Sequence, residues 1–107
     1  MKIIYVAGKY NPVDGTEWEL ERNIHHAEVE ARKLWLDGWA VICPHKNTAH
    51  FGAYGKVDKD LWRNGDLEIL RRCDAIYMLS NYKESMGALA ELKLAQELGR
   101  EVYYEEP

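Results

Sequence analysis

Two carboxylates fall where helical spacing calls for apolar side chains. The stretch SMGALAELKLAQELG, residues 85–99, is rich in strong helix formers and stops at Gly99. Wound as a helix, it puts Glu91 on one face with Gly87, Ala88, Leu94, Ala95 and Leu98. The segment Asp58–Cys73 repeats the pattern. Asp66 lies four residues after Trp62 and three before Ile69, on the face that carries Leu70 and Cys73. Acids are rarely buried unless they are paired or put to use. Burial raises a carboxyl pKa, and the amino end of a helix lowers it, so such a pair is open to tuning. The competing reading is an acid at the rim of the core or one that caps a loop. Two converging acids with small residues around one of them favour the functional reading.

The elements that position the pair can be read along the chain. KIIYVA (Lys2–Ala7) is a short apolar run that stops at Gly8 and predicts a buried strand. Asn-Pro and Asp-Gly in GKYNPVDG mark a loop. Thr16 opens a helix with the TEWE capping box, Glu19 being its third helical residue. Leu20, Ile24, Ala27, Ala31, Leu34 and Trp35 give that helix an apolar stripe, and Gly38 ends it. WAVICP (Trp39–Pro44) is a second strand, and residues 45–57 have no clear period and predict a long loop. A helix over Asp58–Cys73, a strand over Asp74–Ser80, the helix from Ser85 and a strand at Glu101–Tyr104 complete a β-α-β-α-β-α-β order. That order predicts one α/β domain over residues 1–107. It is a flavodoxin- or Rossmann-like three-layer sandwich, with a mostly parallel four-stranded sheet and helices on both faces. Ligands bind such sheets beyond the carboxyl ends of the strands, where the strand order reverses. Both acid-bearing helices start at that edge.

Composition bounds the rest. Of 107 residues, 47% are hydrophobic, enough for one core, and the net charge of −4 leaves no electrostatic footprint for a nucleic acid polymer. The segment before the first strand is too short for a signal peptide or a membrane span, and a cytoplasmic protein is expected. Cys43 and Cys73 have neither metal-site nor redox spacing and read as reduced thiols. His25 and His26 are adjacent, so they point to different helix faces and make a poor metal pair. No metal and no cofactor are expected.

Around Glu91, Gly87, Ala88 and Ala90 leave room for a ligand against the first helical turn. Ser85 fits the N-cap, where its hydroxyl and the free N–H groups suit an anion or a sugar hydroxyl. Gly8 offers close backbone approach, and Lys9 offers charge. Their Gly-Lys pair is neither a P-loop nor a dinucleotide fingerprint.

At SMGALAE, preceded by GDLEILRRCDAIYML and by IIYVAG near the start, the chain resembles the nucleoside 2-deoxyribosyltransferase superfamily. It resembles most its short bacterial and phage members, and the superfamily also includes 2'-deoxynucleoside 5'-phosphate N-hydrolases. The resemblance implies cleavage of the N-glycosidic bond of a 2'-deoxynucleoside or its 5'-monophosphate, by hydrolysis or transfer. On this resemblance Glu91 is the nucleophile at C1' and Asp66 the acid that helps the base depart. Tyr5 stands close to the nucleophile, Ser85 contacts the 5' end, and Gly8 and Lys9 line the 5' side. Ser85 is the residue the nucleotide hydrolases carry, where transferases usually have Asp, so hydrolysis of the monophosphate is slightly favoured. Asn11 stands near where those hydrolases carry a phosphate-binding Arg, a role that Lys9, His45 and Lys46 would have to fill. The alternative is a nucleotide-binding or sensing module with the same pocket and without efficient catalysis.

His45 and His50 read as solvated loop residues, with base stacking or phosphate contact as the functional reading for both. Trp18, Trp35, Trp39 and Trp62 read as core or subunit interface, and Tyr103 and Tyr104 suit the interface of a homo-oligomer.

Overall fold

The computed structural model describes residues 1–51 and 58–106. Residues 52–57 of the long loop expected at 45–57, and Pro107, lie outside the described residues. The elements are β1 (Ile3–Ala7), α1 (Glu17–Leu36), β2 (Ala40–Ile42), α2 (Pro44–Asn47), α3 (Lys59–Arg71), β3 (Ala75–Met78), α4 (Met86–Glu97) and β4 (Glu101–Tyr104). A single 3-10 turn, Tyr82–Glu84, leads into α4. The sheet runs β2-β1-β3-β4 and all its pairs are parallel, so the reversal of strand order falls between β1 and β3.

Alternation along β1 divides the core. Ile4 and Val6 pack with Ala27, Ala31 and Leu34 of α1. Tyr5 and Ala7 face the opposite way, into a cluster with Leu70, Cys73, Ile76, Ala88 and Ala95 from α3, β3 and α4. Both acid-bearing helices therefore cover the face to which Tyr5 points. Ala88 and Ala95 are fully buried, and their small side chains let α4 lie close to the sheet. Ser85 caps α4 by accepting the Ala88 N–H at 3.1 Å, and Gly99 ends it with φ 69°, the left-handed turn that favours glycine.

Several expectations are corrected. Pro44 does not close a strand; it starts α2, where its fixed φ suits the first helical position. Only half of the TEWE capping box forms: Thr16 Oγ1 accepts the Glu19 N–H at 3.2 Å. The Glu19 carboxylate turns instead to the Asp14 N–H at 3.0 Å, while Asp14 accepts from Thr16. Trp18 and Trp35 are exposed, at 67% and 54%, and do not belong to the core. No helix among the described residues is long and apolar enough to cross a membrane.

Gly8 follows from packing between neighbouring strands. A Cβ there would meet Leu79 Cβ at 2.7 Å and Cδ1 at 2.5 Å, so the glycine makes room for Leu79. Gly8→Ala is expected to destabilise the fold by about 1–3 kcal/mol. Denaturant titration checks this; Leu79→Gly removes the Cβ as well as the rest of the side chain, so Gly8→Ala should cost markedly less in that background, and an undiminished cost would rule out the clash.

Candidate active site

Tyr5 lies on the central strand β1 and is fully buried, so its hydroxyl needs an internal partner. That partner is Glu91: the phenol O–H donates to Glu91 Oε2 in a short hydrogen bond. Burial raises the Tyr5 pKa, and the nearby charges of Glu91 and then Asp66 raise it further, so the phenol stays protonated and remains a donor. Glu91 is pushed up to about 7, chiefly by burial; the Tyr5 bond pulls it back and the Asp66 charge adds to the rise. Asp66 is half-buried and is pushed up to about 6 by burial. Two acids thus stand on α3 and α4, with the Asp66 charge felt at Glu91 and at Tyr5.

Gly87 is exposed one turn before Glu91, and a Cβ there would meet nothing nearer than Ser85 Oγ at 3.8 Å. The amino end of α4 is therefore open at Gly87, whereas Ala88, expected to leave room for a ligand, is buried against the sheet. Ser85 acts as the cap, and its own O–H proton remains available to a ligand oxygen.

Two residues stand differently from expectation. Lys9 is 8% exposed, and its ammonium is held by Glu19 at 2.7 Å and Glu84 at 3.5 Å. His45 is 4% exposed, so it is not a solvated loop residue. Its Nε2 faces the Lys9 carbonyl at 2.8 Å and must carry the proton there, while burial lowers the ring's pKa. Its edge also meets the Tyr10 ring, at 5.6 Å between centroids. In this arrangement the imidazole supports the β1 loop and offers neither a base-stacking face nor a phosphate contact. Proline at the head of α2 was the signal that could have placed His45 in a helix. Its burial depends on Lys9 and Tyr10, distant in sequence, and had no local sign.

Asn81 carries no local sequence signal of a role. Its Oδ1 accepts the Lys9 N–H at 3.0 Å and so joins the loops after β1 and β3. The only sequence hint was its place at the edge where the strand order reverses.

An open cavity of about 720 Å³ lies on the α1 side of this edge, lined among others by Lys9, Trp18, Glu19, Arg22, Asn23 and Glu84. Neither Glu91 nor Asp66 borders it. Size alone makes a cavity a default ligand site, but the chemistry points to the acid pair. Glu19, bonded to Lys9, is held down to about 2 and stays ionised, which suits a fixed ion pair and not proton transfer. Glu91 and Asp66 titrate near neutrality. No cluster of three or more His, Cys, Asp or Glu placed to hold a metal occurs among the described residues.

A parallel sheet with its strand reversal between β1 and β3, and an acid pair with a buried phenol on one face, define an α/β fold with a carboxylate-based candidate site. Among solved structures the fold is that of the 2-deoxyribosyltransferases. It is similar to a 2-desoxiribosyltransferase from Leishmania mexicana with TM-score 0.63 and 23% identity, covering 97% of this chain and 63% of that one. It is also similar to a 2-deoxyribosyltransferase from the psychrotolerant bacterium Bacillus psychrosaccharolyticus, with TM-score 0.64 and 23% identity, covering 95% of this chain and 70% of that one. The chain thus spans less than two thirds of the length of the Leishmania protein. No curated protein matches the sequence. A family model described as "Domain of unknown function (DUF4406)" matches residues 2–104, and the chain belongs to that family.

The raised acids carry a stability consequence. A carboxyl whose folded pKa lies above its usual value favours the fold while protonated, and that contribution is lost as pH rises through the folded pKa. For Glu91 the window runs from 4.5 to about 7, and for Asp66 from 3.8 to about 6. Glu91→Gln keeps the shape and an acceptor for Tyr5 and removes the ionisation. The variant should melt higher than the parent at pH 8, by up to roughly 3 kcal/mol of stability, and nearly level with it at pH 4. Thermal melts at both pH values check this; an equal difference at both would sink the explanation.

Proposed function

We propose that the chain cleaves the N-glycosidic bond of a 2'-deoxynucleoside or its 5'-monophosphate through a covalent glycosyl-Glu91 intermediate. The observation that carries this reading is the buried Tyr5 phenol donating to the Glu91 carboxyl, with the Asp66 charge felt by both. The bond holds one Glu91 oxygen and leaves the other for attack. That oxygen bonds to C1' while the C1'–N bond breaks, and its electron pair departs with the base. Asp66, protonated, gives its proton to the leaving base. Water then attacks C1', its proton returns to Asp66 and the C1'–O bond to Glu91 breaks, releasing deoxyribose or its 5-phosphate and restoring both acids; a second base in place of water gives transfer. The likeness to 2-deoxyribosyltransferases supports the sugar-transfer chemistry at the level of the fold. The open space over Gly87 suits a sugar ring laid along the first turn of α4.

The second reading is a nucleotide-binding module of the same fold without efficient catalysis. The observation in its favour is Glu91 itself: with its pKa at about 7, much of it is protonated at neutral pH and is no nucleophile.

Incubation with a panel of deoxynucleosides and their 5'-monophosphates, read as free base, separates the two. Base release lost by about a thousandfold or more in Glu91→Ala is expected for the enzyme. Ligand-dependent thermal stabilisation without release supports the binding module. Catalysis needs Glu91 ionised, above about 7, and Asp66 protonated, below about 6. The rate should therefore be bell-shaped in pH with its maximum between those values. Asp66→Asn should flatten the high-pH limb, and a rate that keeps climbing to pH 9 in the parent excludes Asp66 as the acid.

A further inference from the structure

Every polar atom of Lys9 is in use. Its N–H donates to Asn81 Oδ1 at 3.0 Å, and its carbonyl accepts from His45 Nε2 at 2.8 Å. Its ammonium bonds Glu19 of α1 at 2.7 Å and Glu84 of the 3-10 turn at 3.5 Å. The pair with Glu19 is well shielded, with side-chain exposures of 11% and 16%, whereas Glu84 is 60% exposed. Lys9 follows Tyr5 by four residues at the end of β1, and Glu84 and Asn81 precede the Ser85 cap of α4. The strand that delivers the phenol and the turn that starts the helix of its carboxyl partner are thus joined by one residue, which α1 and α2 hold from behind.

We propose that Lys9 is a positioning residue, which sets the register of β1 against α4 and so the contact of Tyr5 with Glu91, and that it does not bind substrate. This rests on the function proposed for Glu91 and replaces the expected role of Lys9 on the 5' side of the ligand. The Tyr5–Glu91 bond spans two elements that are remote in sequence, and α4 packs against β1 with the small side chains Ala88 and Ala95. A shift of about 1 Å between catalytic groups costs on the order of a hundredfold in rate, so the loop junction has leverage on turnover. A lysine whose charge is already neutralised by Glu19 has little left to offer a phosphate.

The test uses Lys9→Met and, in case the unpaired Glu19 prevents folding, Asn81→Ala, which cuts the same junction and leaves the ion pair. Both should lower kcat by about tenfold or more with KM within about twofold, for nucleoside and monophosphate alike. They should also displace the low-pH limb of the rate profile set by Glu91. A KM raised for the monophosphate alone, with kcat intact, would make Lys9 a phosphate contact and overturn the proposal; so would unchanged kinetics. If the parent protein releases no base, the functional reading fails and hydrogen exchange decides the role of Lys9. The Ala88 amide, capped by Ser85, should then exchange about tenfold faster in either variant while amides near Leu34 keep their rates. Equal acceleration at both places, or none at either, overturns the proposal.

Discussion

The hydrogen bond between Tyr5 and Glu91 is the constraint on which the rest depends. The phenol on the central strand is shut off from water, and burial disfavours the charge of the Glu91 carboxyl. Each would cost about 1–3 kcal/mol if left without a partner. Satisfying both at once requires α4 to lie close against the sheet, which Ala88 and Ala95 permit. It also requires the chain to arrive at α4 from β3 through a short turn, which the 3-10 segment supplies. The interaction joins residues separated by 86 positions.

Two glutamates at the same edge show how the partner decides the chemistry. Glu19 faces an ammonium and two backbone N–H groups, and its pKa falls to about 2. Glu91 faces a neutral phenol and another acid in a buried setting, and its pKa rises to about 7. The first is fixed as a charge and does structural work on the α1 side of the sheet. The second can gain or lose a proton near neutral pH on the α3–α4 side. Cavity size favours the former side and protonation chemistry the latter, and the two sides meet at Lys9 and Asn81.

Periodicity made the elements and the two acids legible because it is a local property. Asp66 and Glu91 are out of place within their own helices, and this shows in seven or eight consecutive residues. The sheet faces were not legible in β1, an apolar run without polar alternation; only the packing shows Tyr5 on the same side as α3 and α4. The roles of Lys9, His45 and Gly8 were not legible, since each depends on a residue far along the chain: Glu84, Lys9 and Leu79 respectively. Sequence near Gly8 suggests a glycine kept open for a ligand, and only the strand neighbour shows that Leu79 fills that space. Pro44 is ambiguous for the opposite reason: proline suits the end of a strand and the start of a helix alike, and here it starts α2.

The acid pair argues against a purely structural origin for the site. Replacing two half-buried acids with apolar residues of similar volume would remove a desolvation cost and leave α3 and α4 with unbroken apolar stripes. Tyr5 could be phenylalanine in that core, since its hydroxyl has no partner other than Glu91 among the described residues. Stability alone therefore favours neither the acids nor the phenol, and least of all at neutral pH, where the raised pKa values leave the pair partly charged. Features that a fold would be more stable without are the ones that chemistry has to explain. Here they meet on the sheet face that α3 and α4 cover.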